Sequence, residues 1–155
     1  MAYRYGMEIR AATAAEAPGL ATLLAAAGYA IEAREIAERL AALREASSAA
    51  LVALQWGPPS GLVVLHWYPS LLAARPVAQI TTLLVGEEER RRGVGRLLLK
   101  AAAQAARNAG CGELEIAATA GAASLHAFCR GTGFAETGLV FVRSLRKQGD
   151  GGASA

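Results

Sequence analysis

The stretch that decides the fold runs from Val77 to Ala118 and reads VAQITTLLVGEEERRRGVGRLLLKAAAQAARNAGCGELEIAA. Val77–Val85 is β-branched and apolar enough to be a strand buried on both faces. Gly86–Arg92 is a charged loop, and Val94–Ala109 has the composition and length of a helix that Gly110 stops. Glu113–Ala118 reads as a second strand. Strand, helix and strand in that order predict a right-handed βαβ unit with its two strands parallel.

Working outward, Met7–Ala12 is a short strand. Thr13 and Glu16 followed by Pro18 start a helix, in which Leu20, Leu23, Leu24 and Ala27 keep helical spacing until Gly28. Glu32–Ala46 is a second amphipathic helix, with Ile36, Leu40 and Leu43 on one face and Glu32, Glu35 and Glu38 crowding its positive end. Ala49–Leu54 and Leu62–Trp67 are strands joined by the turn Gly57-Pro58-Pro59-Ser60-Gly61, and Pro69 and Pro76 bracket the next connection. Beyond the βαβ unit, Ala122–Arg130 is a short helix stopped by Gly131 and Gly133, and Phe134–Leu145 supplies one or two closing strands. The order β-α-α-β-β-β-α-β-α-β-β predicts an α/β (α+β mixed) class with helices on both faces of a mixed sheet.

The 155 residues fit one domain, and 54% apolar with 19% charged residues is globular rather than disordered composition. Two cysteines, Cys111 and Cys129, are too few for a disulfide framework or a four-thiolate zinc site, so no metal is expected. No apolar run is long enough to span a bilayer, and Met1–Arg10 has no export-signal core, which together with unpaired thiols points to the cytoplasm and to no membrane partner. The tail 148–155 is rich in Gly, Ala and Ser and is expected to be disordered. A net charge of +3 does not by itself imply nucleic acid, but the basic residues are clustered.

The cluster is Arg90-Arg91-Arg92-Gly93-Val94-Gly95-Arg96, between a buried strand and a helix start. Glycines there let main chain approach a ligand, and the helix N-terminus offers unpaired N–H groups with partial positive charge. The combination reads as an anion site, most simply for a pyrophosphate. A Walker A loop would need Lys and a hydroxyl residue after Gly95, and a dinucleotide fingerprint would need a glycine where Leu98 stands. A solvated arginine face would place like charge at a positive helix end, and a nucleic-acid patch lacks interleaved aromatics.

These residues resemble the GNAT superfamily of N-acetyltransferases. Its Arg/Gln-x-x-Gly-x-Gly/Ala signature is matched by Arg90-x-x-Gly93-x-Gly95, and a second segment, Leu125-His126-Ala127-Phe128-Cys129-Arg130-Gly131-Thr132-Gly133-Phe134, is similar to that family's short helix ending in Gly-Phe. The resemblance covers Met7–Leu145. It implies the GNAT fold: a mostly antiparallel twisted sheet of six to seven strands, with two central parallel strands splayed to admit acetyl-CoA. Residues 1–147 would then be a single N-acetyltransferase domain. Main-chain amides of Arg91, Arg92, Gly93, Val94, Gly95 and Arg96, with Arg90, would hold the pyrophosphate. Leu83, Leu84 and Val85 would bond the pantetheine arm as a pseudo-strand. Dimers are common among look-alikes, so a homodimer is expected by analogy.

Acetyl transfer to an amine needs the amine neutral and the departing thiolate stabilised. Many members of the family place a tyrosine, as acid for the thiolate, where this chain has Cys129, a weak donor. A glutamate used as base by some members is Gln79 here. Glu115, among Leu114 and Ile116, is the first candidate base, with a raised pKa if it is buried, and His66 the second; a water chain also serves. Cys129 is either a weak acid or a small packed residue.

For the acceptor, Glu32, Glu35 and Glu38 would make an acidic wall, to which Glu136 could add, and Trp67 with Tyr68 an aromatic floor for a sugar or cation. The expected reaction is direct transfer to a primary amine of a small cationic molecule, aminoglycoside or polyamine-like. A catalytically weak acetyl-CoA-binding module and a protein or peptide amine acetyltransferase remain as alternatives.

Overall fold

The computed structural model describes residues 3–4, 6–90, 92–117 and 123–146. β1 (Tyr3–Arg4) and β2 (Met7–Ala11) open the chain, and a 3₁₀ turn over Ala14–Glu16 leads into α1 (Ala17–Ala26). α2 (Ala33–Arg44), β3 (Ser48–Leu54), β4 (Gly61–Tyr68) and β5 (Val77–Val85) follow. α3 (Val94–Asn108), β6 (Glu113–Ile116) and α4 (Ala123–Gly131) complete the regular elements. The strands lie side by side in chain order, each pair antiparallel except β5 with β6, which is parallel. This is the expected mixed α/β architecture.

Alternation along the strands divides the core into two layers. On one face Val63 and Leu65 of β4, Ala53 of β3 and Ile80 of β5 pack against Val94, Leu98, Ala102 and Ala106 of α3, a stripe at four-residue spacing. On the other, Val52, Leu62 and Val64 pack against Leu20 of α1 and Ile36 of α2. Leu20, Val52, Val63, Leu65 and Leu98 are fully enclosed.

Thr13 and Glu16 form the helix start that their spacing predicts, as a reciprocal capping box. Glu16 is buried, accepts from the Thr13 amide at 2.8 Å, and takes two guanidinium bonds from Arg10 at 3.0 Å each. The Arg10 hydrogen bond, opposed by burial and helped by Thr13, holds the Glu16 carboxyl below its ordinary value. The pair ties β2 to the entry of α1.

Three expectations differ from the structure. The closing strands over Phe134–Leu145 are not formed among the described residues, and Leu139, Val140, Phe141, Val142 and Leu145 are 76–92% exposed. Consequently the parallel pair stands at the end of the described sheet rather than at its centre. Finally, β5 is not buried on both faces throughout: Val77, Ala78 and Ile80 are buried, whereas Thr82–Val85 are only half-buried because a cleft opens beside them. Ala118, Ala122 and the tail 148–155 lie outside the described residues.

Candidate active site

The cleft arises where β5 and β6 part. Their ladder runs from Val77↔Glu113 to Ile80↔Ile116 and stops. One residue later the β4–β5 register shifts: Leu65 faces Ile80 but Val64 faces Thr82, leaving Thr81 as an extra residue in β5. A bulge bends its strand and increases twist, so the inserted Thr81 stands where β5 turns away from β6. Beyond it, β5 keeps its bonds to β4 as far as Val85↔Gly61, while no described β6 residue pairs with its other edge.

The resulting cleft has a volume of about 410 Å³. Leu83, Leu84 and Val85 form one side, Leu23, Ala26 and Ala27 of α1 another, and Ser124, Leu125 and Phe128 of α4 a third. Arg90, Gly93, Val94, Gly95 and Arg96 close the end. Leu97 donates the first intrahelical bond of α3, to the Gly93 carbonyl, and no side chain caps this terminus. The amides of Val94, Gly95 and Arg96 therefore have no partner within the helix.

The two glycines serve different ends. Gly93 has φ of +81°, the left-handed conformation that turns the loop into the helix, and nothing crowds it. At Gly95 a Cβ would stand 3.3 Å from the Phe128 ring, so its small size seats α4 against the start of α3. Close approach to a ligand is thus not their sole reason.

The loop is also less basic than its arginines suggest. Glu87, Glu88 and Glu89 form a 3₁₀ turn immediately before them, and Arg92 bonds Glu89 at 2.8 Å. Arg92 is accordingly not among the residues lining the cleft, whereas Arg90 and Arg96 are; Arg91 lies outside the described residues. Arg96 also borders a shallow groove of about 250 Å³ that contains Lys100, Arg107 and Thr132.

The residues considered for acid–base work separate into two groups. His66 of β4 faces Gln79 of β5, which faces Glu115 of β6. Directly opposed residues share a sheet face, so the three form one row across the strands, on the side of α1 and α2. His66 is half-buried, with Nε2 at 3.0 Å from Thr81 Oγ1. Glu115 is exposed rather than buried between Leu114 and Ile116. Cys129 lies apart, buried in α4, and burial pushes its thiol up, with Arg130 partly opposing; neither it nor His66, Gln79 and Glu115 lines the cleft. Its carbonyl accepts the Phe134 amide at 2.9 Å, ending the helix.

The acceptor residues are not assembled as expected. Trp67 and Tyr68 are successive strand residues and point to opposite faces, which rules out one shared floor. Trp67 packs on the α3-side core, and Tyr68 is exposed. Glu35 pairs with Arg39 at 3.8 Å and Glu38 with Arg34 at 3.5 Å, so the helix interleaves cations with the acidic wall. Glu32 is exposed at the start of α2 without a capping bond. None of Glu32, Glu35, Trp67 and Tyr68 lines the cleft. The sequence reading missed Thr81, whose inserted position is invisible without the pairing of β4, and the α1 contribution of Leu23, Ala26 and Ala27.

Residues 18–134 match the family model of the acetyltransferase (GNAT) family. The chain belongs to that family. Among solved structures, this acetyltransferase is similar to an Agrobacterium tumefaciens protein assigned as an acetyltransferase, with 29% identity, a TM-score of 0.78, and coverage of 88% of this chain and 99% of that one. It shares the fold of the aminoglycoside N-acetyltransferase AAC(6')-Iy bound to a CoA bisubstrate analogue, at 20% identity, TM-score 0.78, and coverage of 91% and 99%. It also shares the fold of an aminoglycoside acetyltransferase from an uncultured soil metagenomic sample in complex with sisomicin, at 21% identity, TM-score 0.77, and coverage of 92% and 97%. A comparison with curated protein sequences found no match. Among the described residues, no helix is long and apolar enough to cross a membrane, and no group of side chains has the composition of a metal site.

Proposed function

We infer that this acetyltransferase uses acetyl-CoA to acetylate a primary amine of a small cationic molecule, of aminoglycoside or polyamine-like chemistry, and that residues 1–147 act as one catalytic domain. The observation that carries the reading is the coincidence, in one cleft, of an uncapped helix N-terminus and the edge of β5 that β6 has left. Three amides without a partner in the helix and the Arg90 and Arg96 guanidiniums suit a diphosphate, because a helix N-terminus is a ready anion site. The main chain of Leu83–Val85 would take the amide-rich pantetheine arm as an added strand. Lys100 and Arg107, in the groove that shares Arg96, offer a seat to a further phosphate.

In the transfer itself the amine nitrogen attacks the thioester carbonyl, the N–C bond forms, and the C–S bond breaks. The amine's proton passes to a base and the thiolate takes one up. Along the His66–Gln79–Glu115 row, His66 and Glu115 are the groups able to accept a proton, directly or through water. Cys129 is assigned no part in the chemistry, since its side chain is buried within α4, and the raised thiol disfavours a nucleophilic thiolate. Positioning supplies the main acceleration, and an unaided thiolate is a tolerable leaving group.

The acceptor class rests on the amines named for similar folds. A thiol-release assay with acetyl-CoA over a panel of aminoglycosides, polyamines, amino sugars and peptides tests the reading. Turnover is expected on a small polycationic amine. Coenzyme binding without turnover on any amine would leave only a binding module.

A further inference from the structure

α1 carries a glycine where helix propensity favours alanine, and the residue it meets explains why. A Cβ at Gly19 would stand 2.5 Å from Cδ of Pro59 and 3.4 Å from its Cγ, with Pro58 Cβ at 3.5 Å. The bare backbone of α1 therefore lies directly on the turn Gly57-Pro58-Pro59-Ser60-Gly61. That turn does not give way easily. The Pro59 ring is closed onto its own main chain. Beside it Ser60 is fastened twice: its amide donates to the Ala53 carbonyl at 2.8 Å, and its carbonyl accepts the Gly86 amide at 2.8 Å.

Both attachments lead to the cleft, although neither proline lines it. Gly86, held by the Ser60 carbonyl, lines the cleft where β5 ends. Gly19, Leu23, Ala26 and Ala27 stand at i, i+4, i+7 and i+8, on one face of the helix, and the last three line another side. The two sides come together at Leu23, whose Cδ1 is 3.8 Å from the place of a Cβ on Gly86.

We propose that Gly19 and Pro59 are positioning residues: the Pro59 ring, seated against the bare backbone of Gly19, sets how far α1 stands from the end of β5 and hence the width of the cleft. The proposal builds on the reading of that cleft as the acetyl-CoA site. A methyl at residue 19 must part from the ring by about 1 Å to reach ordinary carbon contact. Because Ser60 is held, α1 moves, and its cleft face leaves Gly86. Removing the ring instead leaves α1 without its support. The two changes together restore the fit, since the new methyl enters the space that the ring has left.

The test compares the full chain with Gly19→Ala, Pro59→Ala and the double variant, by calorimetry with acetyl-CoA. Each single change is expected to weaken binding about tenfold, as a misplacement of about 1 Å is costly in a positioned site. The double is expected to return to within about twofold of wild type, since residues in contact couple. Undiminished affinity in the single variants, or a double no better than the weaker single, overturns the proposal. Should Gly19→Ala fail to fold, Pro59→Ala and the double decide by the same comparison. A wild-type chain that binds no acetyl-CoA would sink the reading of the cleft and not the brace. The nuclear Overhauser contact between the Leu23 methyls and the Gly86 α protons then decides: it is expected to be lost in Gly19→Ala and regained in the double. Its persistence in both single variants overturns the proposal.

Discussion

The two halves of β5 have similar compositions and opposite duties. Val77–Ile80 is bonded on both edges and supplies Val77, Ala78 and Ile80 to the core. Among the described residues, Thr82–Val85 is bonded only to β4, and it is half-buried beside the cleft. Thr81 marks the boundary, and one extra residue separates scaffold from site. Proteins commonly build sites from edges that a rigid neighbour holds in place; here one strand is both neighbour and edge.

Deleting Thr81 is the strongest way to break the comparison. Thr82–Val85 would keep their β4 partners and their faces, and the ladder would become regular. The expected result is a folded protein, no less stable to heat, whose coenzyme affinity drops at least about tenfold (about 1.4 kcal/mol). Undiminished affinity by calorimetry would show that the bulge does not make the cleft.

At the loop, Gly93→Val forces a β-branched residue into the left-handed region, against which L residues lose about 1–2 kcal/mol. Coenzyme binding should weaken by about tenfold or more, while Gly93→Asn, better tolerated at positive φ, should recover most of it. Equal weakening by both would mean that side-chain bulk, not backbone conformation, matters at this position.

Substitution within the two halves sharpens the contrast. Ile80→Ala in the enclosed half should cost about 3 kcal/mol of stability and leave coenzyme affinity little changed in the folded fraction. Leu84→Ala should cost about 1 kcal/mol and show mainly as a raised KM for acetyl-CoA. Denaturant melts and steady-state kinetics on both variants would expose a reversal.

Remote from both halves, Glu16→Gln should cost about 2 kcal/mol, below the range for fully enclosed pairs because Arg10 still touches water. The Glu16 carboxyl is depressed in the folded protein, so its contribution is present above the ordinary carboxylate value near 4.3 and is lost as pH falls through the lower folded value. Melts of wild type and Glu16→Gln should converge at strongly acid pH; a constant gap would remove the linkage. The smallest effect is reserved for Cys129→Ser, which should retain most turnover, and a dead variant would return Cys129 to the chemistry.

Much of this was legible in the residues because periodicity and punctuation reported it directly. Val94, Leu98, Ala102 and Ala106 announce the buried stripe of α3, Gly93 its entry, and Thr13 with Glu16 the start of the first helix. What stayed hidden depends on partners rather than on local sequence. Thr81 is an extra residue only relative to β4, and the reach of α1 into the cleft is a matter of packing. Trp67 beside Tyr68 suggested one aromatic surface until strand geometry sent them apart. Phe134–Leu145 has the propensity of closing strands, but pairing also requires an edge within reach.

The contact of Phe128 with Gly95 has an evolutionary corollary. A methyl group at residue 95 would meet the ring at 3.3 Å, so the aromatic would have to retreat by a few tenths of an ångström. The two sites should therefore drift as a couple: lineages that acquire alanine at 95 should be those in which 128 has shrunk or the helix bearing it has shifted outward.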